Sequence, residues 1–307
     1  MKLCVQTGDV VDRFGFEKGY SLIAEAGFDG VDWNLDHAWH SSDIREKTYR
    51  GKCIFEKSLD EVTENYAAEL ELIKKSGLFV SQAHAPFPAY SQDDPDFLDY
   101  AIEVYKRNIE YCGSIGCKHL VIHGISRALD NYVHSAEEIR ELNLKLYSSL
   151  IPVLVKTDVT VCLENLFTTY RGVRYQGVCS YPDEAAEYID VLNEKAGKEA
   201  FGLCLDTGHL NLLHQDFEVY APKLGKRIKC LHIHDNGGSS DQHMAPCAGT
   251  VDWNRFCRSL KQAGYDGDLS FETFNQTNIA YAFDERAVLP WLKLIKETGA
   301  IMRDKIM

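Results

Sequence analysis

Eight short apolar segments recur along the chain: LCVQT, GVDWN, FVSQAH, KHLVIH, TVCLEN, FGLCLD, IKCLHIH and GDLSFE. Between most of them lie stretches with helical periodicity. Short apolar runs alternating with helix-length segments specify parallel strands joined by crossover helices. Eight such repeats predict an α/β chain whose sheet closes on itself, a single-domain (β/α)8 TIM barrel spanning residues 1–307. A doubly wound open sheet is the competing architecture. It is expected to carry a glycine-rich phosphate turn after an early strand, and none occurs.

Helix boundaries are marked by side chains that satisfy free backbone groups. Ser58 with Glu61 and Ser135 with Glu138 have capping-box spacing, Asp252 is placed to cap the helix after GTVDW, and Asp94–Pro95 is expected to open the helix ending near Gly116. Gly27, Gly77, Gly116 and Gly264 stand where a left-handed C-terminal cap is wanted. No linker-like or low-complexity segment divides the chain. At 307 residues and 45% hydrophobic content it can bury a large core.

Composition narrows the function. No apolar stretch approaches the roughly 18 residues of a membrane span, and the start, MKLCVQTGDV, lacks the apolar core of a signal peptide. Ten cysteines without a CxxC pair indicate reduced thiols rather than a zinc ribbon or redox dithiol, so a cytoplasmic location is expected. A net charge of −13 works against a nucleic-acid or anionic-membrane binder.

Strand parity then locates the chemistry, because alternate residues face opposite sides. Glu164 shares its face with Cys162, Asp206 with Cys204, His232 with Cys230, and Glu272 with Ser270, while Leu163, Leu205, Leu231 and Phe271 take the other face. The cysteines are thereby expected as small packing residues inside the barrel. Four polar residues at the C-terminal ends of neighbouring strands would repel without a cation. Three carboxylates and one imidazole suit a divalent ion such as Mn²⁺, Mg²⁺, Co²⁺ or Zn²⁺. His84 and His123 end other strands, His209 follows Asp206 by three residues, and Asp241 and His243 occupy the loop after the seventh. His234 sits one pleat beyond His232 as a rim or substrate contact. Asp235 is either a partner of an imidazole or a turn residue. Arg171 and Arg174, in FTTYRGVRYQG, are candidates to close over a substrate, and Trp33, ending the second strand, is a candidate stacking platform.

The motifs CLEN, CLDTGH, HIHD, DQHMAPCAGTVDW and SFET, in that order, resemble the xylose isomerase-like TIM-barrel superfamily. That superfamily includes sugar-phosphate isomerases and epimerases and the endonuclease IV apurinic endonucleases. The resemblance implies that Glu164, Asp206, His232 and Glu272 are the metal quartet of the ketose 3-epimerases and that His209 touches substrate. It implies a sugar or sugar-phosphate isomerase or epimerase with one divalent metal. In it, Glu164 and Glu272 act as catalytic acid and base, passing a proton through a metal-stabilised enediolate. The endonuclease IV pattern uses all nine positions (the quartet with His84, His123, His209, Asp241 and His243) for three Zn²⁺ ions. A zinc phosphodiesterase acting on abasic DNA is therefore the alternative, and a non-catalytic sugar-binding barrel the third. Self-association into a homo-oligomer stays open.

Overall fold

The computed structural model describes residues 1–36, 38–127 and 134–307. All eight segments form strands: β1 (Leu3–Gln6), β2 (Gly30–Asn34), β3 (Phe79–His84), β4 (His119–Val121) and β5 (Thr160–Glu164). A small hairpin follows, β6 (Phe167–Tyr170) and β7 (Val173–Gln176), and then β8 (Phe201–Asp206), β9 (Ile228–His232) and β10 (Leu269–Phe271). Excluding the hairpin, the strands run in the order β10-β1-β2-β3-β4-β5-β8-β9, every ladder parallel. The ring closes just beyond β9. There the Ile233 amide donates to the Ser270 carbonyl (2.9 Å) and the Glu272 amide donates to the Ile233 carbonyl (3.1 Å). The fold is a (β/α)8 TIM barrel.

Two cores follow from the alternating pattern. Outward-facing Leu163, Leu203, Leu205, Leu231 and Phe271 are fully buried beneath the helices. Inward-facing Cys162, Cys204 and Cys230 meet Val121 in a separate cluster inside the barrel. An eight-stranded interior is only wide enough for side chains to fill, so small residues suit it. Burial pushes all three thiols well above their ordinary range, which keeps them protonated.

Both capping boxes form. Ser58 Oγ accepts from the Glu61 amide (3.3 Å), and Ser135 Oγ from the Glu138 amide (3.2 Å). Gly27, Gly116 and Gly264 terminate helices in left-handed conformation, and Gly77 follows its helix at φ 75°. The expectation for Asp94–Pro95 is corrected: the helix begins at Phe97. Asp94 is buried, and its carboxylate is engaged by Tyr49 Oη (3.1 Å) and Lys47 Nζ (3.3 Å), so it is not free to cap. Among the described residues no helix is long and apolar enough to cross a membrane.

Candidate active site

The strand ends deliver their polar residues to one place. Glu164, Asp206 and His232 are the last residues of β5, β8 and β9, and Glu272 directly follows β10; all four are buried. His232 Nδ1 lies 3.4 Å from Glu164 Oε2 and 3.5 Å from Glu272 Oε2. Donor atoms of Asp206, His232 and Glu272 all fall within 4.8 Å of one another. His84 and His123 face each other through their Nε2 atoms (3.0 Å), and His123 Nε2 is 3.0 Å from Glu164 Oε2. His209 spans the cluster: its Nδ1 is 3.3 Å from Glu164 Oε1 and its Nε2 is 3.6 Å from Asp241 Oδ2.

The loop after β9 is folded by Asp235, which decides between its two readings. Asp235 Oδ1 accepts from the amides of Asn236 (2.9 Å) and Val251 (3.0 Å). Its Oδ2 accepts from the Cys247 amide and the Trp253 indole, both at 3.1 Å. None of these partners is an imidazole. The loop so organised brings Asp241 and His243 over the site, with His243 Nε2 3.0 Å from Asp241 Oδ2 and Nδ1 3.7 Å from Glu272 Oε2. His243 is held at φ 42°, an uncommon backbone state for a residue with a side chain.

Burial and neighbouring charge set the protonation of this cluster. Burial works against ionising Glu164, yet the imidazoles of His232, His123 and His209 overcome it and hold the carboxyl well below its usual range. Burial pushes Glu272 up to about 8, because His232 and His234 offset only part of the cost. His84 is pulled down to about 3 by burial and by its neighbours His123 and His232. Burial opposes charge on His232 and His209 as well, but the surrounding carboxylates raise both well above an ordinary imidazole. Asp241 Oδ1 is buried without a hydrogen-bond partner. Protons hold together a set of oxygen and nitrogen donors that a divalent ion can bind in their place. The donor set fits such an ion.

Three expectations need correction. Trp33 points away from the mouth into the helical layer, where its ring packs 5.4 Å from that of Tyr66 and its Nε1 donates to Glu69 Oε1 (3.0 Å). His234 is fully buried rather than at the rim, with Nε2 3.0 Å from Asp206 Oδ2 and its ring stacked 4.0 Å from that of His243. Gly208 leaves room for it, since a Cβ there would lie 1.9 Å from His234 Cε1. Arg171 and Arg174 lie on the β6–β7 hairpin, their guanidinium groups over the Tyr170 and Phe167 rings (5.1 and 5.4 Å), and neither lines the cavity.

Sequence reasoning also missed Asp32. It is fully buried inside the barrel, its Oδ2 3.3 Å from His232 Nε2 and accepting from Gln82 Nε2 (2.7 Å) and Ser270 Oγ (3.2 Å). The signal was available: in GVDWN, Asp32 takes the face opposite Val31 and Trp33. Asn165 is a second omission. Its amide brackets the Asp206 backbone with two hydrogen bonds (2.8 and 2.9 Å), and its carbonyl lies 2.9 Å from His209 Nδ1.

Above these donors opens a cavity of about 930 Å³. Its walls include Phe87, Ile125, Leu166, Phe167 and Phe274. A closed parallel barrel with buried carboxylates and imidazoles at its C-terminal mouth defines a TIM-barrel protein with an enzyme-like site. The chain belongs to the xylose isomerase-like TIM-barrel family, whose sequence signature matches residues 20–304.

Among individual proteins, the chain is 23% identical to L-ribulose-5-phosphate 3-epimerase UlaE of Salmonella heidelberg (strain SL476), over 90% of this chain and 88% of that one. It is 25% identical to a probable endonuclease 4 of Mycoplasma pneumoniae (strain ATCC 29342 / M129 / Subtype 1), over 62% and 65%. The fold superposes on D-psicose 3-epimerase with D-tagatose from Clostridium cellulolyticum H10 with TM-score 0.70, 14% identity and coverage of 98% and 99%. It superposes on the IolI protein with a bound zinc atom with TM-score 0.69, 18% identity and coverage of 100% and 98%.

Proposed function

We propose that the chain is a divalent-metal-dependent sugar isomerase or epimerase in which Glu164 and Glu272 move a proton at the carbon beside a substrate carbonyl. One observation carries this reading: the two carboxylates stand 3.4 and 3.5 Å from the same His232 nitrogen, at the floor of the cavity. Similarity to sugar epimerases supports it. Glu164, Asp206, His232 and Glu272 would hold the ion, which when bound supplies Lewis-acid polarisation of a carbonyl oxygen. Glu164, ringed by imidazoles, accepts the proton from the carbon. Glu272 returns one, to the opposite face of that carbon in epimerisation or to the adjacent carbon in isomerisation. His84, His123, His209, Asp241 and His243 line the cavity and orient the substrate's hydroxyl groups.

Because a proton on a carboxyl exchanges with water, ketoses turned over in D₂O should yield product with deuterium at the carbon that changes. Unlabelled product would mean hydride transfer and would remove the two-glutamate mechanism.

A second reading has its own observation. The donors fall into several overlapping groupings, including His84–His123–Glu164, Asp206–His232–Glu272 and His234–Asp241–His243. This favours more than one ion, as in a zinc-cluster phosphodiesterase, although the third grouping uses His234 where the endonuclease IV pattern has His209. Three zinc ions per chain surviving dialysis, with cleavage of abasic DNA, would establish that reading in place of the first.

A further inference from the structure

The cavity is larger than its reactive floor. Its volume of about 930 Å³ stands near the top of the roughly 300–1,000 Å³ that enclose drug-sized ligands, and exceeds what one six-carbon sugar fills. Its walls reach Ser41 and Ile139, which lie on the helices Ser41–Arg45 and Ala136–Ser148, outside the ring of strands. In this outer lobe Tyr90 Oη and His134 Nε2, both lining the cavity, lie 2.7 Å apart. Gln92 also lines the cavity, and its Oε1 is buried without a hydrogen-bond partner. An unpaired amide oxygen beside aromatic rings is a receptor for a hydroxyl-bearing ring.

Charge argues for an unphosphorylated ligand. Asp93, Glu164, Asp241 and Glu272 line the cavity, and among the described residues no Lys or Arg does. The remaining positions, His37 and residues 128–133 (ALDNYV), contain neither type. A phosphate carries about −1.5 to −2 charges at pH 7 and is bound by Arg, Lys or open helix N-termini. In TIM barrels that role commonly falls to the loops after the last two strands and a short helix start. Here the helix after β10 starts with Phe274, whose ring stacks 4.0 Å from that of His243.

We propose that the substrate is an unphosphorylated keto sugar extended by an uncharged glycosyl unit, its reacting end over Glu164 and Glu272 and its extension against Tyr90, Gln92 and Ile139. This rests on the sugar-isomerase reading above. Three probes share a reacting end and differ in what O6 carries: D-fructose (hydrogen), D-fructose 6-phosphate (phosphate) and isomaltulose (glucosyl). Binding is measured by calorimetry with and without divalent metal, and turnover by deuterium uptake on the metal-loaded chain.

Isomaltulose should bind and turn over at least about tenfold better than fructose, with the phosphate ester weakest. A phosphate ester that outperforms fructose, or isomaltulose no better than fructose, overturns the proposal. Ile139→Trp, which fills the outer lobe, should lower kcat/KM for isomaltulose at least about tenfold more than for fructose; equal losses also overturn it. If isomaltulose binds tightest but no probe takes up deuterium, the pocket assignment stands and the proton-transfer reading falls. If no probe binds, both fall.

Discussion

His232 is gripped from both ends. Its Nδ1 faces Glu164 and Glu272, while its Nε2 lies against Asp32 deep in the barrel. A carboxylate behind a metal-binding imidazole fixes ring orientation and raises ligand basicity, and losing such a partner typically weakens metal affinity about 10–100-fold. Asp32→Asn keeps the shape and removes the charge, so it should weaken the affinity by that amount in a competition titration while the fold persists. An unchanged affinity would reduce Asp32 to packing. The proposed ligands themselves should behave more severely: Glu164→Gln or His232→Ala should leave bound metal well below one per chain by elemental analysis. Retention of full metal by both variants would refute the quartet. Trp33 teaches the complementary lesson. It sits next to Asp32 in sequence, yet the pleat sends it outward against Tyr66 and Glu69.

The hairpin between β5 and β8 is the element that sequence reasoning left as an undifferentiated loop. Its turn, Arg171–Gly172, takes φ 50° and 78°, and two successive positive φ values are what a tight two-residue hairpin needs. The usual Asn-Gly or Asp-Gly signal is absent, which hid it. Gly172 has no atom within 4 Å of where a Cβ would sit, so Gly172→Val tests backbone conformation alone. It should cost about 1–2 kcal/mol of hairpin stability. It should also raise KM for the proposed sugar substrate, because Phe167 of the hairpin lines the cavity. A variant with wild-type KM would show that the hairpin does not shape the site.

The barrel strands were legible for the opposite reason: each repeats an alternating pattern between recognisable caps. His234 was misplaced because its burial is set by contacts that strand alternation does not report: Ile233 still pairs with Phe271, and the loop that follows stacks His243 on the inward-facing His234 ring. The same ring meets Asp206 and lies under Gly208. The donors at strand ends could be read from sequence. Those set by loop geometry, by long-range contacts, or by a strand whose parity went unapplied could not.

Over the whole molecule, the mouth of the barrel concentrates buried acid and imidazole that the rest of the fold must hold together. A bound ion stabilises the folded chain by mass action, about 2.7 kcal/mol at a hundredfold excess over Kd. Chelation should therefore lower Tm by several degrees, and adding back divalent metal should restore it; a Tm indifferent to metal would argue against any bound ion. The thiol plug beneath that mouth has a different use. Nine of the ten cysteines are buried and only Cys247 is exposed. An alkylating reagent thus meets one sulfur on the native protein, and the rest only after the barrel has opened. Counting modified sulfurs over time becomes a clock for barrel opening, and comparing its rate with and without metal reads whether an ion bound at the mouth keeps the staves of the barrel shut.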